Sequence, residues 1–148
     1  MHAAVHEAVG DCDVLVMSAA VSDYKPARAA KTKIKKRDEN FSLDLIPTRD
    51  ILKSLPRSRN FFVVGFAAET NDVEERARAK LAVKNCDMIV ANDVSDPTIG
   101  MESDENAVTI FSQDGEIEKF SRASKNIIAR ALVKKICANA KKVLTKNF

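Results

Sequence analysis

Three short apolar runs, DVLVMS at 13–18, FFVVG at 61–65 and DMIVA at 87–91, constrain this chain more than any other feature. Runs of four or five apolar residues are too short for a helix and long enough for a strand covered on both faces, as strands of a parallel sheet are. Helical patterns lie around them. Asn71 with Glu74 is a helix start signal for 72–85, and Glu74 pairs with Arg78 one turn on. At 100° per residue Val73, Ala77 and Leu81 make one apolar stripe, with Lys80 and Lys84 in the same arc.

The rest of the chain extends the alternation. A helix ends over Ala3 to Val9 and is closed by Gly10, Thr48 caps a short helix over 49–55, a fourth strand covers 107–111, and a terminal helix runs from about Ser124 to Lys142. Strands alternating with helices predict an α/β fold, a Rossmann-like parallel sheet with helices on both faces. Residues 31–36 and 41–45 alternate around the polar Asp38, Glu39 and Asn40, which reads as a hairpin arm spanning 31–46. With 148 residues and no repeat or linker, the expectation is a single domain over 1–148.

Charge is unevenly spread. The net charge of +3 conceals seven Lys or Arg and no acid between Lys25 and Arg37, and nine with no acid from Lys119 onward. The second group reads as a solvated helix face, whereas the first is dense enough to hold phosphates. Three cysteines, Cys12, Cys86 and Cys137, share no metal-ligand spacing, and with only His2 and His6 besides, no protein-held metal is expected. No apolar run reaches the length of a membrane span and no leader opens the chain, so the expectation is a cytoplasmic protein with no membrane partner.

In a parallel α/β sheet, ligands bind beyond the carboxyl ends of the strands. Three strands here end alike, in VMSAAVSD, VVGFAAET and IVANDVS. Small residues at Ala19, Ala20, Gly65, Ala67, Ala68 and Ala91 would let a ligand approach backbone amides, beside polar Asp23, Glu69, Asn92 and Asp93; close helix packing is the commoner meaning of any one of them. Glycine-rich phosphate loops are absent, and no Ser/His/Asp or Cys/His set is credible. If the chain handles a nucleotide, lysines and backbone amides must replace those loops, with Lys33, Lys80 and Lys84 as the candidates for a triphosphate. Against that stands the snorkelling of a lysine stem along the core edge.

SAAVSDYKP, KIKK, RDIL, GFAAET, the helix lysine pair and IVANDV, in this order, closely resemble phosphopantothenoylcysteine synthetase (phosphopantothenate–cysteine ligase) of coenzyme A biosynthesis, over about Met1 to Val133. That resemblance implies a two-step ligation. The carboxylate of 4'-phosphopantothenate attacks the α-phosphate of CTP, releasing pyrophosphate, and the amine of cysteine displaces CMP from the acyl-cytidylate. Mg²⁺ would accompany the triphosphate, and ATP stays open as the other nucleotide. A homodimer through the 31–46 arm, and in many bacteria a fused upstream flavin-dependent decarboxylase, are also implied.

Residue by residue, the resemblance makes Asp23 the acid that contacts the nucleotide and Lys33 the mobile catalytic lysine. It makes Arg49, Asp50, Ile51 and Leu52 the nucleotide-binding segment, with Arg49 standing where the family has Pro. Phe66 is the aromatic beside the nucleotide, and Lys80 with Lys84 its helix lysines, while Ala19, Ala20 and Asn92 form the substrate rim. Core packing remains the alternative for Phe66, and a turn cap for Asp23. Nothing in the chain matches the family's first strand, its Gly-Gly-Thr loop or its Asn-x-Ser-Ser-Gly segment. The expectation is therefore a chain covering the C-terminal two thirds of that domain, binding nucleotide weakly and not ligating alone.

Two other classes stay in view. A non-catalytic nucleotide or nucleic-acid binder would use the 25–37 cluster, but with one Tyr and no Trp it has little to stack on bases, so no nucleic-acid partner is expected. A nicotinamide dehydrogenase would need the missing glycine fingerprint.

Overall fold

The computed structural model describes residues 1–36, 38, 40–69, 71–94, 98–99 and 103–145, with the backbone alone at Asp93. The 95–97 and 100–102 stretches, including Pro97 and Gly100, and Glu39 of the expected turn lie outside the described residues. The chain divides into a larger unit, Met1–Ala19 with Ile51–Phe148, and a smaller one, Ala20–Asp50.

Strands β1 (Val14–Met17), β4 (Phe62–Glu69) and β5 (Met88–Asp93), with β6 (Glu105–Ser112) and β7 (Ile117–Ser124), form one sheet in the order β1-β4-β5-β6-β7. The pairs β1/β4 and β4/β5 are parallel, whereas β5/β6 and β6/β7 are antiparallel. Four strands thus share one direction and β6 alone is reversed, so the α/β sheet expected as parallel is mixed at one side. The 107–111 run is β6, longer than expected. β7 is absent from the sequence reading, because its polar, half-buried residues carry no apolar run. Its signal was Asp114-Gly115, a strong hairpin dipeptide. Gly115 sits at φ 89, and its N–H donates to Ser112 O at 3.0 Å.

Both faces are covered, as alternating strands and helices require. On one face Val63, Ala67, Ile89, Ala91 and Phe111 pack with Val9, Leu52, Leu55 and Ala77. These come from the turn after α1 (His2–Ala8), the turn at 51–54 and α2 (Val73–Val83). On the other face Phe62, Val64, Met88, Val90, Val108 and Ile110 lie under Ile128, Leu132, Ile136 and Ala140 of α3 (Lys125–Leu144). That spacing of four on α3 is a single helical stripe, and each large aliphatic side chain so buried contributes about 2 kcal/mol.

Three local expectations differ. The 61–65 strand runs on to Glu69, because Gly65 and Ala67 are buried sheet residues and not the start of a loop. Asn71 does not begin α2; the N-cap is Asp72, at φ 50 and without a side-chain cap hydrogen bond. No helix forms over 49–55. Residues 51–54 make a turn in which Leu55 N–H donates to Leu52 O at 3.1 Å and Ser54 Oγ to Ile51 O at 2.8 Å, taking the carbonyls a helix would have used.

In the smaller unit, β2 (Tyr24–Pro26) pairs antiparallel with β3 (Leu45–Pro47). Hydrogen bonds continue the ladder at each end, Ala27 N–H to Asp44 O at 2.9 Å and Thr48 N–H to Asp23 O at 2.8 Å. The strands expected at 31–36 and 41–45 are not formed among the described residues, and pairing is confined to 24–26 and 45–47. Every described residue from Ala20 to Pro47 is exposed, so alternation at 31–36 and 41–45 has no apolar layer in this unit to pack against.

Candidate nucleotide site

Registers at the carboxyl ends of the strands define the rim. β1 stops at Met17, opposite Gly65, while β4 and β5 continue in register to Glu69 and Asp93. Along Phe66–Glu69, β4 therefore has no β1 partner on that flank. Side chains alternate across it. Phe66 and Ala68 share the face of Val64, and Ala67 and Glu69 share that of Val63.

The first face offers an apolar shelf with one polar group. Phe66 is 40% exposed in the middle of a strand, and Val16, which pairs with Val64 on the same face, is 47% exposed. The core alternative for Phe66 is thereby excluded. Beside Ala68 in register is Asn92, whose Oδ1 is buried and has no hydrogen-bond partner among the described residues. Such an acceptor is costly to leave unmade unless a donor arrives. A ring can lie on Phe66, and an amine or amide can reach Asn92.

The second face is electrostatic. Glu69 is buried, with Lys80 Nζ at 2.5 Å and Arg76 at 3.7 Å. Burial of a carboxylate demands such partners, and sequence reading, which placed Lys80 opposite an anion, missed that the chain supplies one itself. The expected α2 stripe is present, with Ala77 buried and Val73 and Leu81 packed against the core, and Glu74 pairs with Arg78 at 3.1 Å. Lys84 is half-buried at the C-cap, where α2 returns toward the start of β5. The rim thus receives Lys80 directly, whereas the backbone of Lys84 lies toward the far end of the helix.

The remaining predicted residues separate by role. Gly65, Ala67 and Ala91 are small for packing: a Cβ on Gly65 would lie 2.8 Å from Ile89 Cδ1 and 3.1 Å from Cys86 Sγ. Ala19 and Ala68 are exposed. Ile51 and Leu52 are buried, which leaves their backbone as what they can offer a ligand. In the smaller unit Ala20, Asp23, Lys33, Arg49 and Asp50 are exposed, and the Thr48–Asp23 hydrogen bond brings Asp23 alongside the residue preceding Arg49. Lys33 lies in the stretch without strand.

A polar concavity of about 450 Å³ lined by Arg57, Arg59, Asn60, Asn85, Asp87 and Gln113 lies at the amino ends of the strands. Its chemistry is a lock: Asp87 Oδ2 accepts from Arg59 at 2.8 Å and from Val63 N–H at 2.7 Å. No group of three or more His, Cys, Asp or Glu positioned to hold a metal occurs among the described residues.

The DNA/pantothenate metabolism flavoprotein C-terminal domain family matches residues 1–140. The chain belongs to this family. It is 41% identical over 142 residues to the coenzyme A biosynthesis bifunctional protein CoaBC of Bacillus subtilis, covering 95% of the chain and 35% of that relative. The chain thus spans about a third of the length of that relative. The crystal structure of the C-terminal domain of a CoaBC superposes with a TM-score of 0.71 at 35% identity, over 91% of this chain and 58% of that one. A Cab2 variant in complex with phosphopantothenate-cysteine shares the fold, with a TM-score of 0.68 at 20% identity over 90% of this chain and 46% of that one. Pantothenate metabolism is named in the description of the matching family, and coenzyme A biosynthesis in the names of the CoaBC relatives. No helix among the described residues is long and apolar enough to cross a membrane.

Proposed function

We propose that this chain carries the nucleotide-activating part of a phosphopantothenate–cysteine ligase. The carboxylate of 4'-phosphopantothenate attacks the α-phosphate of CTP, pyrophosphate leaves, and the cysteine amine displaces CMP from the acyl-cytidylate to form the amide. The single observation that carries the reading within this family is the rim of β4 and β5, where exposed Phe66 stands near an Asn92 acceptor that has no partner among the described residues.

The roles follow. Phe66 flanks the nucleotide, and Lys80 and Lys84 offset charge on the phosphates. The family resemblance assigns Asp23 to the exocyclic amine of the base, the backbone of Arg49 to Leu52 to the nucleotide, and Lys33 to the reacting phosphoryl group. Bound Mg²⁺ would neutralise triphosphate oxygens. Glu69 keeps the Lys80 ammonium ion in place, so positioning is built before substrate arrives. Ala19, Ala20 and Asn92 face phosphopantothenate and cysteine.

In the smaller unit Phe41, Leu43 and Leu45 are 51–60% exposed at alternate positions, which supports a second copy of this chain as partner there. A flavin-dependent phosphopantothenoylcysteine decarboxylase is the partner proposed to consume the product.

Amide chemical shifts test the reading directly. Titrating the chain with CTP and Mg²⁺ is expected to move resonances of 66–69, 80–84 and 91–93. Shifts absent from the rim, or tighter binding of NADH or an oligonucleotide than of CTP, would overturn it.

A further inference from the structure

The concavity at the amino ends of the strands holds more hydrogen-bond donors than its lock consumes. Asp87 Oδ2 accepts from Nη2 of Arg59 and from Val63 N–H, so the carboxylate is already matched. Arg59 is left with a surplus. Its side chain is 7% exposed and its guanidinium carbon lies 5.9 Å from the centre of the Phe61 ring, yet Nε has no hydrogen-bond partner among the described residues. Asn85, which lines the same concavity, repeats the pattern. It follows α2 at φ 51, a left-handed position after a helix that asparagine fills readily. That accounts for its backbone and not for its amide, whose Nδ2 is buried and also without a partner among the described residues. Buried donors left unmade are costly, and two that line one concavity call for an acceptor there.

Charge selects the acceptor. Arg57 and Arg59 outnumber Asp87, and Asn60 and Gln113 add side-chain amides from exposed positions. Gln113 is fastened there by its N–H, which donates to Asp87 O at 3.0 Å. Guanidinium forks match the oxygens of a phosphate group. The volume, about 450 Å³, falls in the range of roughly 300–1,000 Å³ of small-molecule sites. We propose that this concavity is an oxyanion site for a small molecule bearing phosphate. Arg59 Nε and Asn85 Nδ2 donate to the phosphate oxygens, and Arg57 supplies the outer positive charge. The buried nitrogens are reached as the exposed Arg57 and Asn60 side chains rotate, a common adjustment on binding. The site stands at the other end of β4 and β5 from the rim and does not rest on the nucleotide reading.

Inorganic pyrophosphate is the probe, titrated without Mg²⁺ into the ¹⁵N-labelled chain, with KCl at matched ionic strength as the control. The Arg59 Nε–H and Asn85 Nδ2 resonances are expected to shift and saturate, together with the backbone amides of 57–60 and 113. Affinity read from the Arg59 signal should fall about tenfold in Arg57→Ala and in Asn85→Gly, each of which removes one donor to a charged group. Glycine suits the left-handed backbone at 85, and circular dichroism of both variants should match the parent's. Shifts confined to 66–69 and 80–84 would place the anion at the rim and overturn the proposal. Shifts that KCl reproduces, or equal affinity in both folded variants, would overturn it too.

Discussion

Glu69, at the end of β4 and 5% exposed, is held by Lys80 of α2 through a contact of 2.5 Å. The ion pair ties strand to helix at the rim and fixes one ammonium group there before any ligand binds. Replacing Lys80 with Met leaves a buried carboxylate with Arg76 at 3.7 Å. Because Lys80 itself is 39% exposed, the loss should be about 2 kcal/mol, below that of a fully buried pair. Urea denaturation would show a lower midpoint at unchanged slope; a change under about 0.5 kcal/mol would mean that water already compensates Glu69.

Gly65 packs against Ile89, so Gly65→Ala should destabilise by about 1–2 kcal/mol through overpacking. Ile89→Val removes the Cδ1 atom that the new methyl meets. The double variant should therefore lose less than the sum of the two singles in a denaturation cycle. Strict additivity would place the strain elsewhere.

Lys135 of α3 contacts Glu116 at 2.5 Å and Glu118 at 2.8 Å on the β6–β7 hairpin. Hydrogen bonds to Glu116 and then Glu118 raise its pKa above the ordinary lysine value. A raised folded-state pKa stabilises fully below the unfolded value and loses that contribution as pH climbs through the folded one. Lys135→Met should cost about 1 kcal/mol at pH 8. The gap from wild type should narrow above the ordinary lysine pKa of about 10.4; a gap that does not vary with pH would assign it to packing.

The smaller unit gives a prediction about assembly. Phe41→Glu with Leu43→Glu should turn a dimer into a monomer by sedimentation velocity while leaving far-ultraviolet circular dichroism unchanged. A wild-type chain that is already monomeric at tens of micromolar, well above the affinity of a specific interface, would remove the partner proposed there.

Much of this fold is legible in the residues because burial writes it there. The runs at 13–18, 61–65 and 87–91 became β1, β4 and β5, and the Val73, Ala77, Leu81 stripe became the buried side of α2. What periodicity does not carry is partner choice. β7 hides in a polar, half-buried segment, and its Asp114-Gly115 turn was the only local sign. Alternation at 31–36 and 41–45 looks like strand, yet pairing occurs at 24–26 and 45–47. At the site, composition marked the rim, but Ala67 and Gly65 turned out to be small for Ile89 and its neighbours, and the Glu69 partnership needed a contact 11 residues apart.

Calorimetric titration of the chain with CTP and with ATP in Mg²⁺ tests the central claim most directly, repeated on Lys84→Ala and on Lys80→Ala/Lys84→Ala at a temperature where both remain folded. The account predicts CTP binding at one site, weakened at least tenfold, about 1.4 kcal/mol, when both lysines are lost. CTP bound equally well by the folded double variant, or no nucleotide bound by the parent chain, would contradict it.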